Sequence, residues 1–300
     1  MSNEKIKNIQ NCPTVVSCKE LLLTSELGFI LDPEIKKRAV DRLARVNIYR
    51  IEYKVNKNTI VGFVGYPKVG KNLPCILSLR GGSREFGMIT TPSLVRDLSF
   101  FADQGYVVIT TQYPGVDGGT GADTFGGPDD LASIKGLKKI LDWIPEADSS
   151  LIAMKGHSRG GLMTYMMLRD NPWIMAAIIG GAPTDEFRAG KERKDWRAHQ
   201  VSMFGKSKDE LLKRSPIRWA SDLPKKTPIL LMHGASDWRV LPDHSILMSL
   251  ELQKHQIPHK FILFEGADHG IMEFRKEYND QTLDWLKKYL KKDRKLPNTK

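Results

Sequence analysis

Short apolar runs and amphipathic helical patterns alternate along most of this chain, and no other feature constrains its fold as strongly. Eight runs read as strands, at residues 47–55, 59–66, 75–79, 106–111, 151–154, 174–179, 228–232 and 260–264. Strands that alternate with helices form a parallel sheet whose two faces are both covered. The sequence therefore predicts an α/β fold with a mostly parallel, eight-stranded sheet, helices on both faces, and an antiparallel edge made by the first two strands.

The formal net charge of +11 raises the question of an anionic partner, but the sequence argues against nucleic acid and membrane. The basic residues are spread out, and their local densities at 188–197 and 287–300 lack the interleaved aromatics of a single-strand binding surface. No apolar run approaches the roughly 20 residues of a membrane helix, and the charged start does not read as a signal peptide. Three cysteines without a suitably spaced histidine partner do not make a zinc site. We expect a cytoplasmic protein with free thiols and no metal.

One segment, Lys-Gly-His-Ser-Arg-Gly-Gly at 155–161, lies between an apolar strand and a helical pattern. A serine at such a strand-to-helix turn is the nucleophile elbow of the α/β-hydrolase fold. The turn is tight, so Gly156 and Gly160 give the backbone room. Ser158 then projects from the carboxyl edge of the sheet, where the following helix N-terminus favours negative charge. The motif predicts Ser158 as a nucleophile.

A serine nucleophile needs a general base and an acid that orients the base, each at the end of a later strand. His269, in a short polar loop after the last strand, is the predicted base. Asp237, after the preceding strand, is the predicted acid, in competition with Asp243, Glu265 and Asp268. Asp268 adjoins His269 too closely, and Asp243 is expected to cap a helix, so Asp237 is favoured. The other histidines are expected to be structural or exposed.

Acyl transfer also needs donors for the oxyanion, and the loss of one donor costs about 3 kcal/mol. The backbone N–H of Arg159, which follows the nucleophile, is the first expected donor. The second is expected from the paired glycines after the third strand, with Gly82 favoured over Gly81. Arg80, as part of an electropositive mouth, and Trp238, beside the acid, are expected to contact the substrate.

Four motifs together resemble the catalytic domain of the prolyl oligopeptidase family of serine peptidases. They are GHSRGG at 156–161, RSPIRW at 214–219, HGASDWRV at 233–240 and ADHG at 267–270. The resemblance covers roughly residues 45 to 292 and places the family's catalytic residues on Ser158, Asp237 and His269. It implies an α/β-hydrolase fold and a peptidase activity that needs no cofactor.

The domain organisation follows from the extent of this pattern. Residues 1–45 are expected to form a helical or irregular lead-in that packs on an α/β-hydrolase catalytic domain at 46–292, and 293–300 a basic tail. Residues 184–223 interrupt the alternation with a long charged segment. Such segments in compact α/β units are usually functional, so we expect a small helical lid.

Departures from the family pattern leave the substrate open. Family peptidases usually carry a large gating domain, which the lead-in cannot form, and Arg80 stands where many members have Tyr or His. The sequence predicts a serine hydrolase that cleaves a short peptide or a small ester through an acyl-enzyme, as a prolyl-oligopeptidase-like peptidase or alternatively a carboxylesterase. A catalytically silent binding protein on the same scaffold is the alternative from another class. A homo-oligomer is left open.

Overall fold

The computed structural model describes residues 8–299, which fall into two compact units. The first unit contains the described chain up to Ser78, Ser83–Asp123 and Pro128–Ser150. The second unit contains Leu79–Gly82, Thr124–Gly127 and the described chain from Leu151 onward. The start of the predicted lead-in, 1–7, and the last residue of the predicted tail, Lys300, lie outside the described residues.

The strands belong to a nine-stranded sheet with the order β1-β2-β3-β5-β4-β6-β7-β8-β9. They are β1 (Val15–Glu20), β2 (Val46–Val55), β3 (Asn58–Pro67), β4 (Leu73–Leu79), β5 (Val107–Thr111), β6 (Ala147–His157), β7 (Ile174–Gly180), β8 (Ile229–Gly234) and β9 (His259–Phe264). Eight of them correspond to the predicted strands. The predicted α/β class is confirmed, and the predicted number of strands is one too low.

The additional strand, β1, lies in the segment predicted to be helical or irregular, and that prediction is wrong for these residues. β1 pairs antiparallel with β2, with Cys18 opposite Ile51 and Glu20 opposite Tyr49. Cys18 is the only buried residue of the strand. The segment therefore lacks the apolar alternation by which strands are recognised, and its pairing depends on a partner far along the chain.

In the first unit, β2 and β3 form a ten-residue antiparallel ladder, as predicted for the first two strand-like runs, but the predicted edge is wrong because β1 lies outside β2. β3 also pairs antiparallel with β5. Besides helical residues 8–10, the helical elements of this unit are a 3₁₀ helix (Leu23–Phe29), α1 (Pro33–Arg45), α2 (Thr91–Ser93), a π-helical turn (Leu94–Leu98), α3 (Ser99–Asp103) and α4 (Pro128–Leu141). The long helix α1 begins after Asp32, whose carboxylate accepts the N–H groups of Glu34 and Ile35.

In the second unit, β6, β7, β8 and β9 are parallel neighbours. All residues of β8 are buried, as expected for a strand covered on both faces. The helices of this unit are α5 (Arg159–Asp170), α6 (Glu186–Glu192), α7 (Lys194–Phe204), α8 (Lys208–Lys213), α9 (Asp243–Lys254), α10 (Arg275–Tyr289) and a 3₁₀ helix (Pro216–Asp222). Parallel strands end at one edge of a sheet, so the loops that follow these four strands come together.

The segment predicted as a helical lid, 184–223, contains α6, α7, α8 and the second 3₁₀ helix. It is therefore helical, and its action as a lid stays a prediction. Within residues 8–299, no helix is both long enough and apolar enough to cross a bilayer.

The cysteines are Cys12, Cys18 and Cys75, and all are free and buried. Burial raises the pKa of Cys18 to about 12, and it raises the pKa of Cys75 as well. Since the thiolate is the nucleophilic form of cysteine, neither of these two residues competes with a serine nucleophile.

Candidate active site

Ser158 stands at the turn between β6 and α5, where its backbone has φ 56° and ψ −125°. A positive φ is costly for a residue other than glycine and persists only where the surroundings enforce it. The Ser158 N–H donates to the carbonyl of Gly180 at the end of β7, at 2.7 Å. The Ser158 carbonyl accepts the N–H groups of Gly161 and Leu162, in the first turn of α5. The serine is thereby fixed at the carboxyl ends of β6 and β7.

Two glycines make this turn possible. A Cβ on Gly156 would lie 2.1 Å from the carbonyl oxygen of Gly160. A Cβ on Gly160 would lie 2.2 Å from the carbonyl oxygen of Leu79. Both obstacles are backbone atoms, so no side-chain movement relieves the clash. The close packing of Gly160 brings the segment 79–82 against the serine turn.

His269 follows β9 and Asp237 follows β8, and the two loops are joined by backbone contacts. The N–H of Ser236 donates to the carbonyl of Ala267 at 2.9 Å. A Cβ on Gly234 would lie 2.3 Å from the carbonyl oxygen of Asp268, so only glycine allows this approach. These contacts place the histidine and the aspartate side by side.

The Nδ1 atom of His269 lies 2.7 Å from Oδ2 of Asp237. Since the ionised carboxylate only accepts hydrogen bonds, the neutral ring carries its proton on Nδ1. Nε2 is then the basic nitrogen. The Asp237 side chain is fully buried, whereas the His269 side chain retains 16% of its exposure. This arrangement is that of a general base oriented by a buried acid.

Asp237 accepts four hydrogen bonds. Oδ1 accepts the backbone N–H groups of Arg239 and Val240 at 2.9 and 3.0 Å. Oδ2 accepts from His269 and from Nε2 of His233, the latter at 3.1 Å. Burial alone raises the pKa of Asp237, but the hydrogen bonds from the two histidines outweigh it and hold that pKa below its usual range. Asp237 is therefore ionised wherever a histidine can act as a base.

The structure brings Ser158 and His269 to the same short segment after β7. Ser158 is bonded to Gly180, and a Cβ on Gly181 would lie 3.5 Å from Cε1 of His269. Among the described residues, no hydrogen bond joins Ser158 Oγ to the His269 ring. In hydrolases of this kind such bonds often tighten only when the substrate binds.

His157, the residue before the serine, packs against the base. Its ring centroid lies 5.0 Å from that of His269, with the planes tilted by 58°. Burial, followed by the charges of His269 and Lys155, lowers the pKa of His157 to about 3. His157 is therefore neutral at working pH and restricts the movement of the His269 ring without adding a competing cation.

The paired glycines lie beside the nucleophile. A Cβ on Gly81 would be 3.3 Å from Cβ and 3.9 Å from Oγ of Ser158. Gly82 has φ 70°, and its carbonyl accepts from Nη1 of Arg159 at 3.2 Å. Within residues 8–299, neither glycine N–H donates a hydrogen bond. Both N–H groups can therefore serve a substrate oxygen, and proximity to Ser158 favours Gly81 where the sequence favoured Gly82.

The two residues expected to contact the substrate differ in exposure. Arg80 is 8% exposed, and its Nη1 donates to the carbonyl of Gly81 at 3.2 Å. Trp238 is 67% exposed, with the guanidinium groups of Arg193 and Arg239 at 5.5 and 5.9 Å from its ring. The structure thus places Trp238 on the surface beside the acid, while Arg80 bonds to the glycine loop. Contact of either residue with the substrate stays a prediction.

The competing acids are engaged elsewhere. Asp268 accepts the N–H of Gly270 at 2.7 Å, and Glu265 is exposed. Asp243 was expected to cap α9, and this expectation is wrong. The helix begins at Asp243 itself, whose carboxylate pairs with Arg188. In the described part of the chain, only Asp237 forms an ion pair with His269.

Sequence reasoning missed His233, which it grouped with the structural or exposed histidines. The side chain is fully buried at the end of β8 and contacts Asp237. A histidine inside an otherwise aliphatic strand, four residues before the candidate acid, was the available signal. A buried polar side chain needs a partner, and the nearest polar group along the chain was that acid.

A serine in a strained strand-to-helix turn, with an acid–histidine pair on two later strand ends, defines an α/β-hydrolase. The sequence pattern that defines the prolyl oligopeptidase family matches residues 92–293. The Bacillus subtilis protein described as the uncharacterized peptidase YtmA is 28% identical over 228 residues, which cover 74% of this chain and 86% of that protein. The dipeptidyl-peptidase 5 of Aspergillus oryzae is 23% identical over 281 residues, 86% of this chain and 37% of that protein.

Among solved structures, the acylaminoacyl peptidase of Pyrococcus horikoshii has a TM-score of 0.74 and 20% identity, over 88% of this chain and 45% of that one. The chain belongs to the prolyl oligopeptidase family, and the predicted family, fold and serine-hydrolase class are confirmed. It spans less than half the length of the dipeptidyl-peptidase and of the acylaminoacyl peptidase.

Proposed function

We propose that this chain is a serine peptidase that hydrolyses short peptides through an acyl-enzyme. Ser158 is the nucleophile, His269 the general base and Asp237 the acid that orients the base. The observation that carries the proposal is the 2.7 Å hydrogen bond between His269 Nδ1 and Asp237 Oδ2, beside the strained serine turn. Membership of a peptidase family supports a peptide as the substrate.

In acylation, Ser158 Oγ attacks the scissile carbonyl carbon and Nε2 of His269 takes the hydroxyl proton. The imidazolium is stabilised by the ionised Asp237, which does not itself take the proton. Collapse of the tetrahedral intermediate breaks the C–N bond, and Nε2 returns the proton to the leaving amine. A water molecule, deprotonated by the same nitrogen, then releases the acyl group and restores Ser158.

The oxyanion is stabilised by backbone N–H groups. In this proposal Arg159 supplies one of them, and Gly82 or Gly81 supplies the other. The close packing of Gly160 against residues 79–82 keeps the glycine pair in place. Preorganised donors of this kind contribute about 3 kcal/mol each to the transition state. Arg80 holds the glycine loop, Trp238 contacts the substrate at the rim, and the helical segment 184–223 covers the bound peptide.

A panel of chromogenic substrates tests the proposal. Peptide p-nitroanilides with free and with acylated amino termini are compared with p-nitrophenyl acetate and butyrate, on the native protein and on Ser158→Ala. We expect kcat/KM for the peptide amides to fall by at least about a thousandfold in Ser158→Ala. Ser25→Ala, a change at an exposed serine in the first unit, is the matched control and should behave like the native protein.

The same panel separates the alternatives. Turnover of esters without turnover of any peptide amide would identify a carboxylesterase and contradict the peptidase proposal. No turnover of either class by folded protein would favour the silent binding protein.

The proposal includes a cytoplasmic location, supported by the buried free thiols, since disulfides are rare in a reducing compartment. Cell fractionation tests it, and recovery in a secreted fraction would contradict it. Light scattering on the purified protein decides whether a homo-oligomer forms.

A further inference from the structure

His233 contacts polar groups on two sides, although its side chain is fully buried. Its Nε2 lies 3.1 Å from Oδ2 of Asp237 and 2.9 Å from the carbonyl oxygen of Val240. Its Nδ1 lies 2.6 Å from Oγ of Ser245, in the first turn of α9. The ring therefore links the end of β8 to the acid, to the loop that follows the acid, and to a neighbouring helix.

The position of the His233 proton follows from these partners. Both groups that face Nε2 are acceptors, so the neutral ring carries its proton on Nε2. Nδ1 is then an acceptor, and the Ser245 hydroxyl donates to it. The ring thus presents one N–H to a carboxylate oxygen and a backbone carbonyl at once, and these two acceptors fix its tautomer.

From this geometry we infer that His233 is a positioning residue for Asp237, and through it for the base His269; the inference rests on the proposed function. Two donors, His233 Nε2–H and His269 Nδ1–H, converge on the same carboxylate oxygen. The backbone N–H groups of the acid loop hold the other oxygen. The carboxylate can therefore neither rotate nor withdraw from the base.

His233 also holds the acid loop. Its bond to the carbonyl of Val240 closes the four-residue span from Asp237, in which Trp238 is largely exposed. Without the Nε2–H of His233, both the buried Asp237 Oδ2 and the Val240 carbonyl lose a donor. Loss of a hydrogen bond to a charged group corresponds to roughly a 10- to 100-fold change in a rate constant.

Two substitutions separate the contacts of the ring. In His233→Gln the amide nitrogen occupies the place of Nε2 and can still donate to Asp237. In His233→Asn the shorter amide corresponds to Nδ1, so it can face Ser245 but cannot reach the acid. His259→Asn is the matched control, because His259 also bonds a serine of α9, Ser249 at 2.9 Å, and a backbone carbonyl, without touching the acid.

The assay is covalent labelling by a fluorophosphonate, with kinact and KI determined between pH 5 and pH 9. We expect His233→Asn to lower kinact by roughly 10- to 100-fold with little change in KI. We expect the acid limb of its kinact–pH profile to move to higher pH, because Asp237 without this donor favours the protonated base more strongly. His233→Gln and His259→Asn should stay within about threefold of the native kinact and keep the native acid limb.

Proton NMR supplies a readout that needs no activity. The Nδ1–H of His269 bonded to the carboxylate should give a far-downfield resonance that shifts in His233→Asn and stays in His259→Asn. If native protein is neither labelled nor active while this pattern holds, the proposed function fails and the positioning role stands.

Three results would overturn the positioning role. The first is a folded His233→Asn with native kinact and acid limb, and the second is equal loss in the His233 and His259 variants. The third applies if His233→Asn does not fold: a folded His233→Gln with a large loss of kinact then contradicts the inference. A folded His233→Gln with native kinact supports it.

Discussion

Replacing Glu186 by glutamine is expected to stabilise the protein at alkaline pH far more than at acidic pH. Glu186 begins α6 and is completely buried. Its Oε2 accepts from Nε1 of Trp196 at 2.9 Å and from Nε2 of Gln200 at 2.6 Å, while its Oε1 has no hydrogen-bond partner among residues 8–299. Burial raises the pKa of Glu186 to about 7, and these two hydrogen bonds and the charge of Arg214 only partly oppose it.

The sign and size of the effect follow from linkage. The unfolded chain loses the Glu186 proton near its ordinary pKa of 4.5, and the folded protein loses it near 7. Between these two pKa values the folded state binds more protons than the unfolded chain. The contribution of Glu186 to the free energy of unfolding is therefore fully present below the lower pKa and is lost as pH rises through the higher one. At about 1.4 kcal/mol per pH unit, the decline amounts to about 3 kcal/mol at pH 8. Glutamine cannot ionise, so the variant does not lose this free energy of unfolding as pH rises.

Urea unfolding of the native protein and Glu186→Gln at pH 5, 6, 7 and 8 tests this reasoning. The difference in the free energy of unfolding should increase in favour of the variant by about 2–3 kcal/mol between pH 5 and pH 8. Glu265→Gln, at an exposed glutamate, should show no such increase. A difference that does not vary with pH, or one that shrinks toward pH 8, would refute the assignment of a buried, weakly acidic carboxyl.

Three further substitutions test the site. Gly160→Ala sets a Cβ 2.2 Å from the Leu79 carbonyl oxygen, so fluorophosphonate labelling should slow by at least about 100-fold. Gly28→Ala is the control, because a Cβ there meets nothing within 4 Å, and it should label normally. Normal labelling of both variants would contradict the packing at Gly160. Asp237→Asn removes the charge that selects the tautomer of the base, and kcat should fall by roughly 10⁴-fold, with a loss under tenfold counting against the triad. Trp238→Ala, at a largely exposed side chain, should raise KM, leave kcat nearly unchanged and keep the midpoint of unfolding; an unchanged KM would remove Trp238 from the substrate site.

The strands and the serine turn could be predicted because their signals are local. Each buried strand is a short apolar run, and the glycines around Ser158 report the steric limits of one turn. Strand β1 could not be predicted, since Cys18 is its only buried residue and its register is set by β2. A pairing between distant segments leaves little trace in either sequence alone.

Side-chain partners were harder to predict than backbone elements. Asp243 has the sequence of a helix cap, but a salt bridge with Arg188 takes its carboxylate. His233 looked structural, because its contact with Asp237 depends on how the loop after β8 folds back. Such details depend on tertiary geometry, and sequence spacing only limits the choices.

The central claim is that Ser158 is an activated nucleophile, and covalent labelling with a fluorophosphonate followed by peptide mapping tests it most directly. The account predicts one adduct per chain, located on Ser158, and no adduct on folded Ser158→Ala. Folded native protein that is not labelled, or an adduct that persists in Ser158→Ala, would contradict it.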